Sequence, residues 1–224
     1  MKTVLDIALV IHIICGFVSL VVAPLAMITK KGGKSHKSWG KIYFVGMTGV
    51  AITGVFISIL KSIPFLLMVS VFSYYFVAYG YRIIYLKNLH KDQKPTRLDW
   101  EIAIVTGLFN IGLICFGIYQ ILNQTSNSFS YIAIVFGIVG IQTVYSNSKL
   151  FWKKPTDPKH WFYSHIGGMV GSYIATVSAF SATNFYFLPT VLRWLWPTIL
   201  GVPLIIFWIK HYKNKFNSAQ KGEN

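Results

Sequence analysis

The segments VLDIALVIHIICGFVSLVVAPLAMI at residues 4–28 and TKKGGKSHKSWGK at residues 29–41 decide the fold of this chain. The first is almost entirely apolar over 25 residues, and a bilayer core of about 30 Å needs about 20 helical residues to cross it. The second contains five lysines. An apolar segment that ends in a basic loop is typical of a membrane-spanning helix whose last turn lies in the cytoplasm.

The same alternation recurs along the chain and predicts seven spans. We place them at residues 4–28, 40–60, 64–86, 100–122, 129–148, 161–183 and 188–209. The loops and span ends on one side of these segments contain 18 of the 21 Lys and Arg residues. Because short cytoplasmic loops carry the positive charge, the N-terminus is predicted outside and the C-terminus in the cytoplasm. We expect an all-α, polytopic bundle of seven transmembrane helices over residues 1–210 and a basic cytosolic tail over 211–224.

Composition also indicates a membrane protein. The chain is 54% hydrophobic and 12% charged, with a mean hydropathy of +0.54, which is not typical of a soluble domain. Its net charge of +15 is spread over four separate segments beside span ends, which favours anionic lipid headgroups over nucleic acid as the partner.

The two cysteines, Cys15 and Cys115, lie inside spans, so no disulfide framework is expected. The apolar run continues to Met27 without a cleavage site, so we expect a retained first span in a bacterial inner membrane.

A weak internal similarity predicts a repeat. The segment Gly46-Met47-Thr48-Gly49 in the second span resembles Gly168-Met169-Val170-Gly171 in the sixth. This offset would pair spans 1–3 with spans 5–7 and leave the fourth as a connector. Parallel repeats of this kind occur in transporters, whereas unrelated glycine-rich helices produce the same match by chance.

Polar residues inside the spans are the candidate functional residues, because each is costly in hydrocarbon and tends to face the bundle interior. At a rise of about 1.5 Å per residue, His12 and His165 differ by roughly 12 Å in depth. Two axial nitrogens on one iron lie only about 4 Å apart, since each bond is about 2 Å. We therefore do not expect these two histidines to share one haem iron.

The remaining polar positions gather at the cytosolic level of the predicted bundle. Arg82, Asp99 and His165 lie within one or two helical turns of the same boundary, and we predict that they share one pocket in which Asp99 neutralises Arg82. His36, His160 and His165 are candidate metal ligands at this level. Simpler interpretations are an interfacial position for Arg82 and helix caps for Asp99 and Asp157.

Two motifs resemble a known family. The first is His12-Ile-Ile-Cys-Gly16 followed by KKGGKSHKSWGKIYF at residues 30–44, and the second is WFYSHIGGM at residues 161–169 with Ala179-Phe180. Both are similar to an uncharacterised bacterial integral membrane protein family, domain of unknown function 2306. The resemblance implies a protein of about seven helices and points to His12, His36, Arg82, Asp99 and His165. It implies no activity.

No complete catalytic signature is present in the sequence. A retinal protein would need a lysine in the last span, and 188–209 has none; nucleotide-binding glycine motifs, HExxH and GxSxG are also absent.

Three hypotheses about the function stay open. The first is a cytosolic-side site that binds a haem, a metal ion or a quinone-type cofactor in electron transfer through His12, Arg82, Asp99 and His165. The others are a small-solute transporter or channel with 3+1+3 helices, and a structural or sensory subunit.

Overall fold

The computed structural model describes residues 2–125 and 127–222, with the backbone alone for 219–222. Within these ranges the chain is helical and contains no strand. The helices are α1 (Lys2–Ile28), α2 (Lys34–Leu60), α3 (Pro64–Arg82), α4 (Arg97–Leu122), α5 (Ser128–Trp152), α6 (His160–Asn184) and α7 (Thr190–Gly222). Two short 3-10 helices, Ile83–Tyr85 and Leu89–Lys91, lie between α3 and α4. The predicted all-α helix bundle is confirmed.

Six of the seven helices are long and apolar enough to cross a membrane by length and composition. The helix that does not reach this hydropathy is α6, which is 25 residues long. Its Ser172, Ser178 and Ser181 are buried. A helix surrounded by other helices does not need an apolar surface on every side, which explains why α6 combines a spanning length with polar residues. The chain is a multi-pass membrane protein.

Local sequence signals set several helix boundaries. At the start of α4 the Thr96 side chain and the Asp99 side chain cap each other's backbone, and Asn127 and Ser130 form the same capping box on α5. Pro64 occupies the first turn of α3. At the other end of the chain, α7 continues to Gly222, so residues 211–222 extend the last helix beyond the predicted span. The division into a bundle and a tail stays a prediction.

The helices α3 and α6 form the centre of the bundle. The helix α3 packs against α2, α4, α5 and α6, while α6 packs against α1, α3 and α7. They meet closely at two glycines: a Cβ atom added to Gly168 would lie 2.6 Å from the Cα of Gly80. Glycine at both positions therefore permits a backbone approach that any side chain would prevent.

The predicted repeat is not supported by the packing. Gly46 and Gly49 of α2 lie against Ser19 and Cys15 of α1, the helix that precedes α2. The corresponding Gly168 and Gly171 of α6 lie against Gly80 and Phe76 of α3, and α5 is not among the helices packed on α6. The two motifs share a sequence but not a structural environment.

Apolar residues form both the core and the lipid-facing surface. One core cluster, including Phe65, Phe72 and Phe136, joins α3, α4 and α5. Large apolar side chains such as Phe17, Val45 and Leu108 are more than 60% exposed, which agrees with a surface that faces hydrocarbon rather than water. Below, "cytosolic end" means the end that includes Ile28, Arg82 and His160, and "outer end" means the opposite one, following the predicted orientation.

Candidate functional site

An ion pair between Arg82 and Asp99 joins α3 to α4 at the cytosolic end. The Arg82 Nε donates to Asp99 Oδ1 over 2.9 Å, and Nη2 donates to Oδ2 over 3.1 Å. The Asp99 side chain is 2% exposed and that of Arg82 is 26% exposed. The contact predicted from their common depth is therefore present. A bidentate pair of this kind fixes geometry as well as charge.

Asp99 also holds the first turn of α4. Its Oδ2 accepts hydrogen bonds from the Thr96 backbone N–H at 2.8 Å and from the Thr96 hydroxyl at 2.7 Å. The cap and the ion pair are thus both made by one carboxylate. Asp99 therefore has both roles that the sequence suggested: it caps α4 and it neutralises Arg82.

His165 lies near this pair but does not contact it. Its Nδ1 lies 2.7 Å from the carbonyl oxygen of Gly80, two residues before Arg82 on α3. The His36 ring is the aromatic neighbour of His165, with centroids 6.2 Å apart and planes at 75°. The Nδ1 of His36 lies 2.9 Å from the carbonyl oxygen of Ala26. The prediction that Arg82, Asp99 and His165 share one pocket is therefore only partly right: Arg82 and Asp99 form an ion pair, and His165 has other partners.

The two carbonyl contacts assign the tautomers of His36 and His165. A carbonyl oxygen only accepts, so each Nδ1 must carry the proton and donate it. Ala26 and Gly80 lie in the last turns of α1 and α3, where carbonyl groups lack a partner within the helix. Each histidine caps a helix end, and its Nε2 is left as an acceptor in the neutral ring. Imidazoles with this support are common metal ligands.

Lysines surround this histidine pair. The Lys31 amine donates to the carbonyl of Met27, and burial lowers the pKa of Lys31. Lys31 and Lys87 are near enough to interact electrostatically with His165. Among the residues that the structure describes, no Asp or Glu groups with the two histidines as a third metal ligand. The positive charge of the lysines is unfavourable for a bound cation.

His160, the third candidate metal ligand, has other partners. Its Nδ1 lies 3.0 Å from the carbonyl oxygen of Asp157 and its Nε2 lies 3.1 Å from that of Leu86. Its ring neighbour is His90, at 5.9 Å between centroids. Over the described part of the chain, no three His, Cys, Asp or Glu side chains are grouped closely enough to hold a metal ion. The structure brings His36 and His165 together and leaves His160 apart from them.

His12 lies in α1, away from the cytosolic cluster. Its Nδ1 is 2.9 Å from Thr53 Oγ1, and the Thr53 hydroxyl donates its own hydrogen to the Gly49 carbonyl over 2.6 Å. Thr53 therefore accepts from His12, which assigns the proton to Nδ1 and the lone pair to Nε2. The depth argument that separated His12 from His165 agrees with these separate partners.

The bundle contains a large, partly open cavity, some of whose lining residues, such as Phe180 and Ile206, are exposed. Its volume is about 1520 Å³, and it is lined by residues of all seven helices. The lining is mostly apolar and includes Phe17, Phe72, Phe76 and Phe136, with His12 among the few ionisable residues. It extends from Lys61 at the outer end to Lys213 at the cytosolic end. Arg82, Asp99, His36 and His165 are not part of this lining.

Several polar contacts were not identified from the sequence. Tyr43 of α2 contacts Ser172 of α6 over 2.7 Å between their hydroxyl oxygens, and both are buried. Asn147 donates to the Tyr75 hydroxyl over 3.3 Å. Small hydroxyl residues give little signal in a spanning segment, because serine also serves as a packing residue. Asn110, a polar residue within α4, is fully buried against Gly140 and lies outside the cavity lining.

Comparison with known proteins agrees with this architecture. A family model described as "Predicted membrane protein (DUF2306)" matches residues 9–144, which include α2 to α4 and most of α1 and α5. No curated protein and no solved structure gives a match. The matched region contains His12, His36, Arg82 and Asp99, and ends before His160 and His165. With more than half of its length covered, this chain belongs to the DUF2306 family of predicted membrane proteins.

Proposed function

We propose that this protein binds a membrane-soluble amphiphile, a molecule with a long apolar chain and a small polar head, in the cavity of its bundle. An isoprenoid quinone, the cofactor class considered from the sequence, is one member of this group. The observation that carries the proposal is the cavity of about 1520 Å³ with its apolar, phenylalanine-rich lining.

The size and chemistry of the cavity favour a long apolar ligand. Sites for compact small molecules usually enclose about 300–1,000 Å³, which is less than the space here. A small polar solute would need free hydrogen-bonding groups along its whole path, whereas several hydroxyls of this lining, such as those of Ser58, Ser70 and Thr143, already donate to backbone carbonyls of their own helices. An apolar chain gains from burial against such a surface without requiring polar partners.

His12 is the histidine that belongs to this cavity. Because its Nδ1 proton is donated to Thr53, the neutral ring offers Nε2 as an acceptor. A ligand hydroxyl, such as that of a reduced quinone, would be the matching donor. His36 and His165 at the cytosolic end do not line the cavity. In this proposal they stabilise the ends of α1 and α3.

Analysis of the purified protein tests the proposal directly. Organic extraction and mass spectrometry should recover an amphiphile in near-stoichiometric amount, and a visible spectrum of the same sample tests for haem. Ala175→Trp, which places a large ring in the cavity lining, should reduce the recovered ligand. Ile138→Trp is the matched control, because Ile138 is 55% exposed to the lipid side. A protein that carries no amphiphile, with both variants alike, would contradict the proposal.

A second candidate function follows from the extent of the cavity. Its lining includes Pro64 and Asn184 near the outer end and Tyr163 and Ser164 near the cytosolic end. A ligand held along such a path could be moved between the two membrane leaflets. Reconstituted vesicles with a labelled lipid would test this: faster exchange between leaflets with the protein than with Ala175→Trp supports movement, and equal rates restrict the function to binding.

A further inference from the structure

The outer end of the cavity differs in chemistry from the rest of its lining. Arg193 of α7 and Lys61 of the α2–α3 loop line it, together with the polar side chains of Asn184 and Thr190. Two cations, Arg193 and Lys61, therefore lie at this end, whereas a single lysine, Lys213, lines the cytosolic end. Such an arrangement matches a ligand whose charged head lies at one end of an apolar chain.

Arg193 is held in place at this end. Its Nη2 donates to Thr190 Oγ1 over 3.0 Å, and Nη1 donates to the Ala182 carbonyl over 3.4 Å. The guanidinium carbon lies 5.4 Å from the centroid of the Tyr186 ring. Its Nε is buried and has no hydrogen-bond partner. One donor of an ordered guanidinium is therefore left unused.

A second unpartnered polar group belongs to the same lining. Ser178 is 3% exposed, and its hydroxyl has no hydrogen-bond partner. It precedes Ala182 by four residues on α6, so the two positions lie on one face of the helix. Since Ala182 contacts Arg193, the unpartnered hydroxyl lies about one helical turn below the arginine, towards the cavity interior.

Within residues 2–125 and 127–218, no Asp or Glu side chain forms an ion pair with Arg193. In these ranges, the three ion pairs join Arg82 to Asp99, Arg97 to Glu101 and Lys154 to Asp92, all at the cytosolic end. No Asp or Glu lines the cavity. Buried polar groups normally have partners, and a half-buried arginine normally has an anion near it.

We propose that the outer end of the cavity binds the anionic phosphate head of a lipid, with Arg193 as its main contact and the lipid chains in the apolar part. This inference rests on the proposed function and specifies the head of its ligand. Arginine recognises phosphate oxygens through several parallel donors, and Lys61 adds a second positive charge. The neutral head of a quinone would leave the charge of Arg193 uncompensated.

A purely interfacial role for Arg193 is the competing interpretation. Arginines near helix ends often extend to the membrane surface and place the charged head in water. In that arrangement the head would be solvated and would bind no particular lipid. The hydrogen bonds that hold the guanidinium to Thr190 and Ala182, both in the cavity lining, favour a ligand-facing role instead. The two interpretations differ in a measurable way.

The experiment uses the full chain in lipid nanodiscs that contain equal amounts of phosphatidylglycerol and phosphatidylcholine. After transfer to detergent and washing, native mass spectrometry counts the retained lipid. We expect one tightly retained phosphatidylglycerol per chain. Arg193→Gln should weaken its retention at least about ten-fold, because about 1.4 kcal/mol corresponds to a factor of ten and a hydrogen bond to a charged group contributes more than this. Arg193→Lys keeps the charge and should have a smaller effect.

Two control variants separate this site from general attraction by the basic loops. Lys2→Gln removes an exposed outer cation that does not line the cavity, and Lys210→Gln removes an exposed cytosolic one. Neither should change the tightly retained lipid. If Arg193→Gln proves unstable, Lys61→Gln, at an exposed loop position, serves as the second test and should weaken retention less.

The outcomes distinguish the two proposals. A retained neutral amphiphile, such as a quinone, that is lost in Ala175→Trp would preserve the proposed function and overturn the phosphate head. Equal retention of phosphatidylglycerol in Arg193→Gln and the wild type would also overturn it. Retention of no lipid or quinone by the wild type would overturn both.

Discussion

Arg82 and Asp99 make a two-point contact, with Nε–Oδ1 at 2.9 Å and Nη2–Oδ2 at 3.1 Å, that fixes the end of α3 to the first turn of α4. The residues between them form a loop with two short 3-10 helices. The ion pair closes this loop at its base. Asp99 caps α4 through Thr96 as well, so the loss of its charge affects the loop and the helix together.

Asp99→Asn should lower the free energy of unfolding by about 1–3 kcal/mol, because it leaves the partly buried charge of Arg82 without its partner. The asparagine still accepts a hydrogen bond at the helix cap, so the loss reports mainly on the charge. In an Arg82→Ala background the same change should have a much smaller effect. Thermal or SDS-induced unfolding of the purified protein in detergent measures all four forms.

The exposed pair on the same helix provides the control. Arg97 and Glu101 are 2.7 Å apart, but their side chains are 93% and 52% exposed. Glu101→Gln should change stability by no more than about 0.5 kcal/mol. Additive effects of Asp99→Asn and Arg82→Ala would show that the pair is not energetically coupled.

The close approach of α3 and α6 predicts a sharp difference between adjacent glycines. A Cβ atom at Gly168 would lie 2.6 Å from Gly80 Cα and 2.8 Å from the Phe76 carbonyl oxygen, whereas one at Gly167 meets nothing within 4 Å. Gly168→Ala should destabilise the protein by about 1–3 kcal/mol through overpacking. Gly167→Ala should be neutral or slightly stabilising, since alanine favours helix. Equal melting temperatures for the two variants would contradict this packing.

The tautomers of His36 and His165 can be measured by nuclear magnetic resonance. With Nδ1–H donated to the carbonyls of Ala26 and Gly80, ¹⁵N spectra of histidine-labelled protein above neutral pH should show protonated Nδ1 and unprotonated Nε2 in both rings. The variants His36→Gln and His165→Gln assign the signals. Protonated Nε2 in either ring would mean that the carbonyl contact is absent in the membrane.

Orientation is tested by cysteine labelling in intact cells. In a background with Cys15→Ser and Cys115→Ser, Thr125→Cys should react with an impermeant thiol reagent from outside, and Ser218→Cys should react only after lysis. The adjacent Ser126 is outside the residues that the structure describes. The opposite labelling pattern would reverse the cytosolic and outer ends throughout.

The helices and their approximate limits could be derived from the sequence, because each limit has a local cause. Apolar length sets the spans, Pro64 marks the start of α3, and the Thr96–Asp99 capping box starts α4. The contact of Arg82 with Asp99 was also predictable, since both lie at one depth and a charge near hydrocarbon requires a partner. The extension of α7 to Gly222 was not, because a polar helix beyond the bilayer has no hydropathy signal.

The sequence by itself therefore determined the class of the protein, its number of helices and the depth of each polar residue, since these depend on transfer from water to lipid along one axis. Apart from the contact of Arg82 with Asp99, only the tertiary structure decided which residues meet. The rotation of each helix about its axis directs His165 to Gly80 and His36 rather than to Asp99, and leaves Arg193 at a cavity without an acid. Helix rotation is set by packing between helices distant in the chain, such as Gly80 against Gly168, and depth alone carries no information about it.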